Sequence, residues 1–497
     1  MKFLTALIFS LLINVILIPA LFSSPSIPIT SGEEEFRQHE FVENGKPQIV
    51  GGHMTVEVVA AGLNLPTTMA FLGPNDILVL EKDKGTVQRI VNGKMVGQPL
   101  LDVSVANSIE RCMCGIAVSK QGATQFVFLY YTEINGLDGE DRQGKEPSGN
   151  KLYRYELVNN KLVNPKLLLD LPAYPGPRHN GGAIIIGPDG NLYIPIGDVD
   201  GSFKESDTET KTQNYVDGVD PDGRSGILRI TQNGQPVGEG ILGNEMPLRL
   251  YFAYGIRNSF GLGFDPVTGK LWETENGPGE GDEINLVEPG FNSGWQQIHG
   301  LSSSVRDFNP SNLESFNGKG HYRDPELVWQ NTAGPTALVF LDSDKYGPQY
   351  RNDMFVGDVH NGRIYHFDLN QDRTHLVLNG PLAGKVIKNA NMEGVDQIIF
   401  GEEFGGITDL KVGPDGYLYV VSIGLGKIFK ILPSSSQSST ETTSKPVSNS
   451  NEVAANPPQT TAGNPGTTTN DNNKGSSSIP QTGKGPSTTN SEGNPFG

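Results

Sequence analysis

The chain has 497 residues, of which 19% are charged and 62 are glycine, and its formal net charge is −18. This length allows several small domains or one large all-β body, and the frequent glycines favour tight turns over long helices. A negative charge of this size repels nucleic-acid phosphates and anionic lipid. The composition therefore excludes nucleic acid as a partner and favours a neutral or cationic small ligand.

The first 24 residues predict an export signal or an N-terminal anchor. Lys2 precedes a mostly apolar run over residues 3–22, which is typical of a secretory signal. The run is also long enough to span a bilayer if it stays uncleaved. We expect an extracytoplasmic protein, secreted or tethered, whose only membrane contact is this segment; a leader over residues 25–49 follows it.

Residues 50–433 contain a weakly repeated unit, in which a turn precedes an alternating apolar strand. Asp-Gly before such a run is a hairpin signal, and the strands are rich in β-branched and aromatic residues. Six copies predict an all-β, six-bladed β-propeller, a ring that hides its strand edges. The copies are GPNDILVLEK at Gly73, TQFVFLYYTE at Thr124, GPDGNLYIPIGD at Gly187, DPVTGKLWETENG at Asp265, YRNDMFVGDVHNGRIYHF at Tyr350 and GPDGYLYVVSIG at Gly413.

The only cysteines are Cys112 and Cys114, too few for a disulfide scaffold. They are expected either as two small buried residues on a strand or, outside the cell, as a Cys-x-Cys bridge. Two thiolates without a matching cysteine or histidine pair nearby make a poor zinc site.

A histidine and a carboxylate frame the third repeat. His179 lies in the glycine-rich turn GPRHNGGA, and Asp198 ends the strand that follows. Imidazole accepts a proton near neutral pH, and a turn before a central strand would place it at the channel mouth. The alternative is a surface histidine. Asp198 could orient the imidazole or a ligand, or cap a turn.

Arg257 and Asn258 follow a Tyr-Gly-Ile segment and offer a planar donor fork and an amide. A buried arginine needs an anionic partner. A ligand could supply it, or one of three carboxylates of the next segment, namely Glu275, Asp282 and Glu283.

The segment ENGPGEGDE predicts a cation-binding turn. The carbonyls of Gly277 and Pro278 can point outward together, and Ca²⁺ accepts backbone carbonyls as well as carboxylates. Asp282 and Glu283 are expected either as further oxygen ligands or as braces of the loop.

Beyond this body, residues 434–497 are rich in Ser, Thr, Asn and Pro and predict a disordered tail.

Together and in this order, the motifs resemble the glucose/sorbosone dehydrogenase family, the soluble pyrroloquinoline quinone (PQQ) dependent sugar dehydrogenases. The resemblance runs from about Leu63 to Leu432 and is carried by RHNGGAIIIGPDGNLYIPIGD, YGIRNSFGLGF, ENGPGEGDEIN and GFNSGW. It implies a six-bladed propeller that oxidises an aldose or a related sugar or polyol. Hydride would pass to PQQ while Ca²⁺ polarises the quinone. The resemblance leaves the electron acceptor unspecified.

Individual roles follow from the resemblance at matching positions. It implies that His179 is the catalytic base for the sugar C1 hydroxyl and that Asp198 is the carboxylate beside it. It places Arg257 and Asn258 on cofactor contacts, and Glu110, in ERCMCGIA, on a further cofactor contact. By the same resemblance the Gly277 and Pro278 carbonyls hold the calcium at the PQQ, and Glu283 matches a position tied to a second, structural calcium.

Several positions depart from the family pattern. His360 stands where the family has a lysine, and Gly406 and Thr408 stand where it has two arginines; Ser293 replaces a tyrosine tied to the structural calcium. PQQ is a tricarboxylate, and each lost charge-assisted hydrogen bond is worth roughly 1.5–3 kcal/mol. His360 and Thr408 are thus the candidate cofactor contacts here, and weaker binding is expected unless Arg178, His360 or another cation compensates.

Two other functions stay open at this point. The same face of a propeller could bind a carbohydrate or a surface protein without catalysis, which the missing cations favour. A calcium-assisted lactone hydrolase would keep the fold and change the chemistry, by analogy of fold alone.

Overall fold

The computed structural model describes residues 45–135, 147–200 and 209–434, and within them the alternating apolar segments form strands rather than α-helices. The predictions for residues 1–24 and for the tail from residue 435 onward lie outside the described residues. Within the described ranges no helix has the length and apolar character to cross a membrane.

Short strands are the main regular structure of the described residues, with seven 3₁₀ turns between them. The strands β1 to β29 are, in chain order, Gln48–Ile49, Met54–Ala61, Pro66–Gly73, Asp76–Glu81, Thr86–Val91, Lys94–Met95, Leu101–Asp102, Met113–Gln121, Thr124–Ile134, Pro147–Val158, Lys161–Leu171, Ile185–Ile186, Leu192–Ile196, Gly226–Ile230, Tyr251–Tyr254, Ser259–Phe264, Leu271–Glu275, Asp282–Val287, Phe291–Asn292, His321–Tyr322, Leu327–Trp329, Pro335–Phe340, Met354–Asp358, Ile364–Phe367, Val386–Ile387, Ile399–Glu402, Ile407–Val412, Leu418–Ser422 and Lys427–Pro433. The 3₁₀ turns are Lys211–Gln213, Leu248–Leu250, Ser302–Ser304, Pro310–Asn312, Pro348–Tyr350, Gly380–Gly384 and Val395–Gln397.

The strands pair into six sheets, built mainly from antiparallel neighbours in the chain. Their orders are β3-β4-β5-β6 with β7 beside β5, then β8-β9-β10-β11, β12-β13-β14-β15-β19-β20, β16-β17-β18-β21-β25, β22-β23-β24-β26-β1 and β27-β28-β29-β2. In the last sheet, β2 from the start of the described chain pairs with β29 from its end. Their register runs from Met54 opposite Pro433 to Ala61 opposite Lys427.

The first strand of each sheet lies next to that of its neighbour, which closes the sheets into a ring. β3 contacts β8, β8 contacts β12, β16 contacts β22, β22 contacts β27, and β27 returns to β3; β13 and β16 join the third sheet to the fourth. The prediction of an all-β protein with a β-propeller arrangement is confirmed.

Neighbouring sheets stack face to face and cover each other's strands on both sides. All five residues of β13, which the sequence predicts as an alternating strand, are buried, and so are all six of β18. Phe128 and Tyr130 of the second sheet pack with Ile194 and Leu228 of the third in one apolar cluster. Burial on both faces is what turns an alternating strand into a fully enclosed one.

Candidate active site

The ring of sheets encloses a cavity of about 680 Å³ at its centre. The first strand of every sheet contributes to its wall, through Thr67, Cys114, Ile185, Phe260, Thr336 and Thr408 among others. A cavity of this size, lined by both apolar and polar groups, suits a small-molecule ligand or cofactor.

Seven of the eleven predicted site residues line this one cavity, namely Glu110, His179, Arg257, Asn258, Gly277, His360 and Thr408. The other four, Asp198, Pro278, Asp282 and Glu283, are absent from its wall. The structure thus brings together the imidazole, the guanidinium and the glycine turn that the sequence places in three separate segments. The roles of these residues remain predictions.

His179 is held from behind by a buried carboxylate. Its Nδ1 lies 2.5 Å from Oδ1 of Asp198, while the indole Nε1 of Trp295 donates to the other Asp198 oxygen at 2.7 Å. An ionised carboxylate only accepts hydrogen bonds, so Nδ1 donates to Asp198, and in the neutral ring Nε2 is then the nitrogen with the lone pair. His179 is 1% exposed and has a positive φ of 59°, which fixes the ring at the wall of the cavity.

Glu110 ties two parts of the site together. Its Oε2 accepts hydrogen bonds from the backbone N–H of His179 at 2.6 Å and from Nδ2 of Asn258 at 3.0 Å. The carboxylate therefore sets the position of the histidine turn relative to the amide of Asn258, in addition to facing the cavity.

Arg257 finds its partners in backbone carbonyls. Its Nη1 donates to the carbonyls of Asn276 at 2.7 Å and Gly277 at 2.9 Å, and its guanidinium carbon lies 5.4 Å from the centroid of a Trp295 ring. Glu275 accepts from the backbone N–H of Arg257 at 2.6 Å rather than from the guanidinium. Burial lowers the pKa of Arg257, and the surrounding carboxylates Asp198, Glu110 and Glu275 oppose this shift. The contact predicted between Arg257 and a carboxylate is thus made by the backbone N–H of Arg257.

The glycine turn is braced by Asp282. Its Oδ1 accepts from the backbone N–H of Gly277 at 2.9 Å. Its Oδ2 accepts at 2.8 Å from the hydroxyl of Thr332 and from the N–H groups of Ala333 and Gly334. Four donors leave this carboxylate engaged within the protein, so the geometry supports the bracing alternative and not a direct metal ligand.

Glu283 is likewise occupied within the protein. Its oxygens accept from the N–H of Gly300 at 2.5 Å, from Asn285 at 2.9 Å and from the Ser293 hydroxyl at 3.3 Å. Burial, with Glu275 nearby, raises its pKa well above the ordinary range. The carboxylate joins β18 to Ser293 and to the backbone of Gly300, and it is absent from the cavity wall.

The cavity wall also carries cations to which the resemblance assigns no role. Lys82, Arg178 and Lys411 line it together with Arg257. Lys82 follows the end of β4 and its Nζ lies 2.8 Å from Oδ1 of Asp83; Nζ of Lys411 lies 3.2 Å from Oδ1 of Asp409. The only sequence signal for Lys411 is that it shares a face of β27 with Asp409.

Cys112 and Cys114 form a disulfide, the bridge alternative of the two expected from the sequence. Both line the cavity, just after Glu110 and at the start of β8. While bonded, neither sulfur is a thiolate available to a metal.

Comparison with known proteins identifies related chains. A family model described as Glucose / Sorbosone dehydrogenase matches residues 63–430. Aldose sugar dehydrogenase YliI of Escherichia coli is 24% identical over 389 residues, covering 76% of this chain and 93% of the relative. Quinoprotein glucose dehydrogenase B of Acinetobacter calcoaceticus is 28% identical over 330 residues, covering 61% and 67%.

Solved structures have a similar fold. An oxidoreductase (glucose dehydrogenase) of Thermus thermophilus aligns with a TM-score of 0.56 and 26% identity, covering 76% of this chain and 100% of that one. The PQQ-bound aldose sugar dehydrogenase of Streptomyces coelicolor aligns with a TM-score of 0.53 and 22% identity, covering 78% and 99%. At this identity the second likeness concerns the fold alone.

Proposed function

Because the chain belongs to the glucose/sorbosone dehydrogenase family, and is therefore a sugar-dehydrogenase-like oxidoreductase, we propose that it oxidises an aldose or related sugar at C1 with PQQ as hydride acceptor. The observation that carries this proposal is the buried His179–Asp198 pair at a cavity that also holds Arg257, Asn258 and Gly277. A buried, oriented base facing a cavity of suitable size is the minimum that such an oxidation requires.

His179 acts as the base in this proposal. Its Nε2 takes the proton of the sugar hydroxyl as the carbon gives up hydride. Asp198, held by Trp295, stabilises the imidazolium that results. Glu110 keeps the histidine turn in place through its bond to the backbone N–H of His179.

PQQ, when bound, supplies the two-electron acceptor for the hydride. The residues on the wall fit a tricarboxylate, because Lys82, Arg178, Arg257 and Lys411 offer positive charge around one cavity. His360, Gly406 and Thr408 stand where the family has cations, and these four side chains would supply the missing positive charge. Asn258 and Thr408 supply neutral donors beside them.

Calcium is a further part of the proposal. The carbonyls of Gly277 and Pro278 would hold the ion, and it would polarise the quinone when bound. In the structure the Gly277 carbonyl accepts from Arg257 at 2.9 Å, and its second lone pair is left for a cation. Asp282 shapes this turn from behind, through the N–H of Gly277.

The remaining finer features are proposed alongside this chemistry. Each of the six sheets would form one blade, residues 1–24 would direct export, and a sugar would be the small-molecule partner. An external acceptor of unspecified class would reoxidise the cofactor. The family assignment and the catalytic residues favour this over a non-catalytic binding protein.

The test is reconstitution of the full chain with PQQ, with and without Ca²⁺. We expect a change in PQQ absorbance, a rise in melting temperature and dye-linked oxidation of aldoses. His179→Ala should keep the cofactor signal and lose turnover. The matched control is His321→Ala, which removes an exposed histidine in β20 and should keep turnover. Absence of any PQQ signal in the wild-type protein would refute the proposal.

A further inference from the structure

The Cys112–Cys114 disulfide closes residues 109–114, the bridged segment, which carries Glu110. Cys112 directly precedes β8 and Cys114 lies within it, where the pairing register with β9 shifts between Met113 and Gly115. Sγ of Cys114 lies 3.8 Å from the carbonyl oxygen of Glu110. A covalent link across such an irregularity restricts the backbone that leads into it, so the bridge fixes Glu110 relative to the strand.

Glu110 in turn holds residues 173–182, the histidine turn, which carries His179. Its backbone N–H donates to the carbonyl of Pro177 at 3.2 Å, and its carboxylate accepts from the backbone N–H of His179 at 2.6 Å. Main chain and side chain of one residue thus bind the histidine turn at two points. The position of the imidazole therefore depends on where the bridged segment holds Glu110.

Two further contacts join the bridged segment to the histidine turn. Nη2 of Arg111 donates to the carbonyls of Ala173 at 2.6 Å and Gly176 at 3.1 Å, near the start of the turn. Cys114 packs against Gly182 at its end, where an added Cβ would lie 2.4 Å from the Cβ of Cys114. The bridged segment thus contacts the histidine turn along its whole length.

The bridged segment begins with a strained residue. Ile109 has a φ of 56° and lines the central cavity. This left-handed conformation is unfavourable for a β-branched side chain, and it persists only where the surrounding structure enforces it. Because the bridge is one of the constraints on this segment, its opening would let the backbone around Ile109 relax and carry Glu110 with it.

A small thiol can reach the bridge. Both cysteines line the central cavity of about 680 Å³, and Cys114 is partly exposed. The thiolate of a dithiol attacks one sulfur to form a mixed disulfide, and its second thiol then closes a disulfide within the reagent. The bridge gains two electrons and two protons, all from the dithiol, and Cys112 and Cys114 become free thiols.

We propose that the Cys112–Cys114 bridge is a redox switch on the position of His179. While the bridge is closed, Glu110 stays bonded to the histidine turn. Reduction by a dithiol releases Glu110 and lets the histidine turn move. The two cysteines are positioning residues, because they act on His179 through Glu110. The effect on turnover rests on the proposed function, whereas the release of the turn does not.

Hydrogen exchange measures this release without cofactor or sugar. The full chain is compared in the oxidised form and in dithiothreitol. Amides of residues 109–114 and 176–182 should exchange roughly tenfold faster after reduction, because the N–H groups of Glu110 and His179 lose their acceptors. Amides of β28 and β29, in the last sheet, are the internal control and should not change. Unchanged exchange over residues 176–182 would refute the switch.

A variant without the bridge controls for other effects of the reagent. The double change Cys112→Ser and Cys114→Ser should exchange as fast as the reduced wild type, and dithiothreitol should not alter it. If dithiothreitol accelerates exchange of the variant as much as that of the wild type, the bridge is not the cause. Reduced wild type carries the test by itself if the variant fails to fold.

Turnover is measured on the full chain reconstituted with PQQ and Ca²⁺. The bridgeless variant should show a kcat for glucose that is roughly tenfold lower, with KM and PQQ absorbance within about twofold of wild type. Wild type should fall to the same kcat after reduction and recover on reoxidation. Equal kcat in both redox forms, or loss of PQQ absorbance together with turnover, would contradict a positioning role.

The two measurements separate this inference from the proposed function. If the protein oxidises no sugar in either redox form but the exchange pattern holds, the proposed function fails and the release of the histidine turn stands. If the oxidised protein turns over sugar and reduction changes neither exchange nor kcat, the switch is refuted and the proposed function stands.

Discussion

At the scale of single residues, the site depends on side chains that hold other side chains. Asp198 contacts the ring of His179 and Glu110 contacts its backbone. Asp282 holds the glycine turn through the backbone N–H of Gly277. Each of these carboxylates is fixed in position, because each accepts hydrogen bonds from two or more donors. Precise placement of a base is worth more to catalysis than its mere presence.

Asp198→Asn tests this dependence. An amide at this position can present its N–H to Nδ1, which would shift the proton to Nε2 and remove the base. We expect kcat to fall by at least about 100-fold while PQQ still binds. Stopped-flow reduction of bound PQQ by sugar measures the step. Trp295→Phe, which removes one bond to Asp198, should give a smaller loss, and equal rates in Asp198→Asn and wild type would contradict the assignment.

Gly277→Ala tests the turn that shapes the cavity wall. A Cβ at this position would lie 2.0 Å from the carbonyl oxygen of Glu280. The turn must shift, and overpacking of this kind costs about 1–3 kcal/mol. Urea unfolding should show that loss. Gly384→Ala is the control, because a Cβ there meets no atom within 4 Å; equal stability of the two variants would show that the turn yields.

At the scale of elements, the hairpin of β17 and β18 concentrates buried acid. Glu273 lies opposite Asn285, and Glu275 lies opposite Glu283. Burial raises the pKa of all three glutamates; the charge of Glu275 adds to the shift in Glu273 and Glu283, and that of Asp198 adds to the shift in Glu275. An Asn-Ser pair, Asn285 and Ser293, supplies most of the hydrogen bonds among them. This hairpin carries the glycine turn at its tip, so its charge state bears on the site.

The stability of this element should depend on pH. The folded pKa of Glu273 is raised from 4.5 to about 8, so the folded protein keeps a proton that the unfolded chain releases. The stability that this proton gives to the folded state is fully present below pH 4.5 and is lost as the pH rises toward 8. Wild type should therefore lose free energy of unfolding across this range, by up to about 1.4 kcal/mol per pH unit for one proton.

Glu273→Gln should reduce that dependence, because an amide does not titrate, whereas Glu275 and Glu283 still do. Chemical unfolding at several pH values between about 5 and 8 gives the slopes. Glu239→Gln, at an exposed position, serves as the control and should retain the wild-type slope. If Glu273→Gln keeps the same slope as wild type, the buried carboxyl is not the source of it.

The same scale shows why the strands could be predicted. Turns such as GPDG and alternating runs are local signals, and they identify β13, β23 and β28 from a few consecutive residues each. An alternating pattern predicts one buried face for each strand. It does not predict that the other face is also buried, because a neighbouring sheet covers that face. The sequence does not decide whether Asp282 braces the turn or binds a metal, because its partners, Thr332 to Gly334, lie 50 residues or more along the chain.

At the scale of the whole molecule, closure of the ring brings together residues that lie far apart in the sequence. His179, Arg257 and Gly277 share a cavity as the motifs predicted, whereas Lys82 and Lys411 reach it from near the two ends of the described chain. No spacing rule connects such residues, since only closure of the ring makes them neighbours. The family pattern indicates which positions have lost a cation, and it does not indicate which residues elsewhere in the chain bring positive charge to the cavity.

Removal of β2 tests the closure itself. A chain that begins at Gly62 lacks the ladder from Met54–Pro433 to Ala61–Lys427 and leaves β29 as an open edge. We expect loss of cooperative thermal unfolding and of PQQ binding. A chain that ends at Ser434 keeps every described strand and should unfold as the full chain does. Equal melting of the Gly62 chain and the full chain would show that the ladder is dispensable.

The pairing of β2 with β29 also has a consequence for the order of events in the cell. β2, which is made early, must wait for β29, the last described strand, so the ring stays open until the ribosome has passed Pro433. The last sheet is therefore completed only after the strands of the other five have been synthesised, so a nascent chain that stops short of Lys427 leaves β2 without its partner.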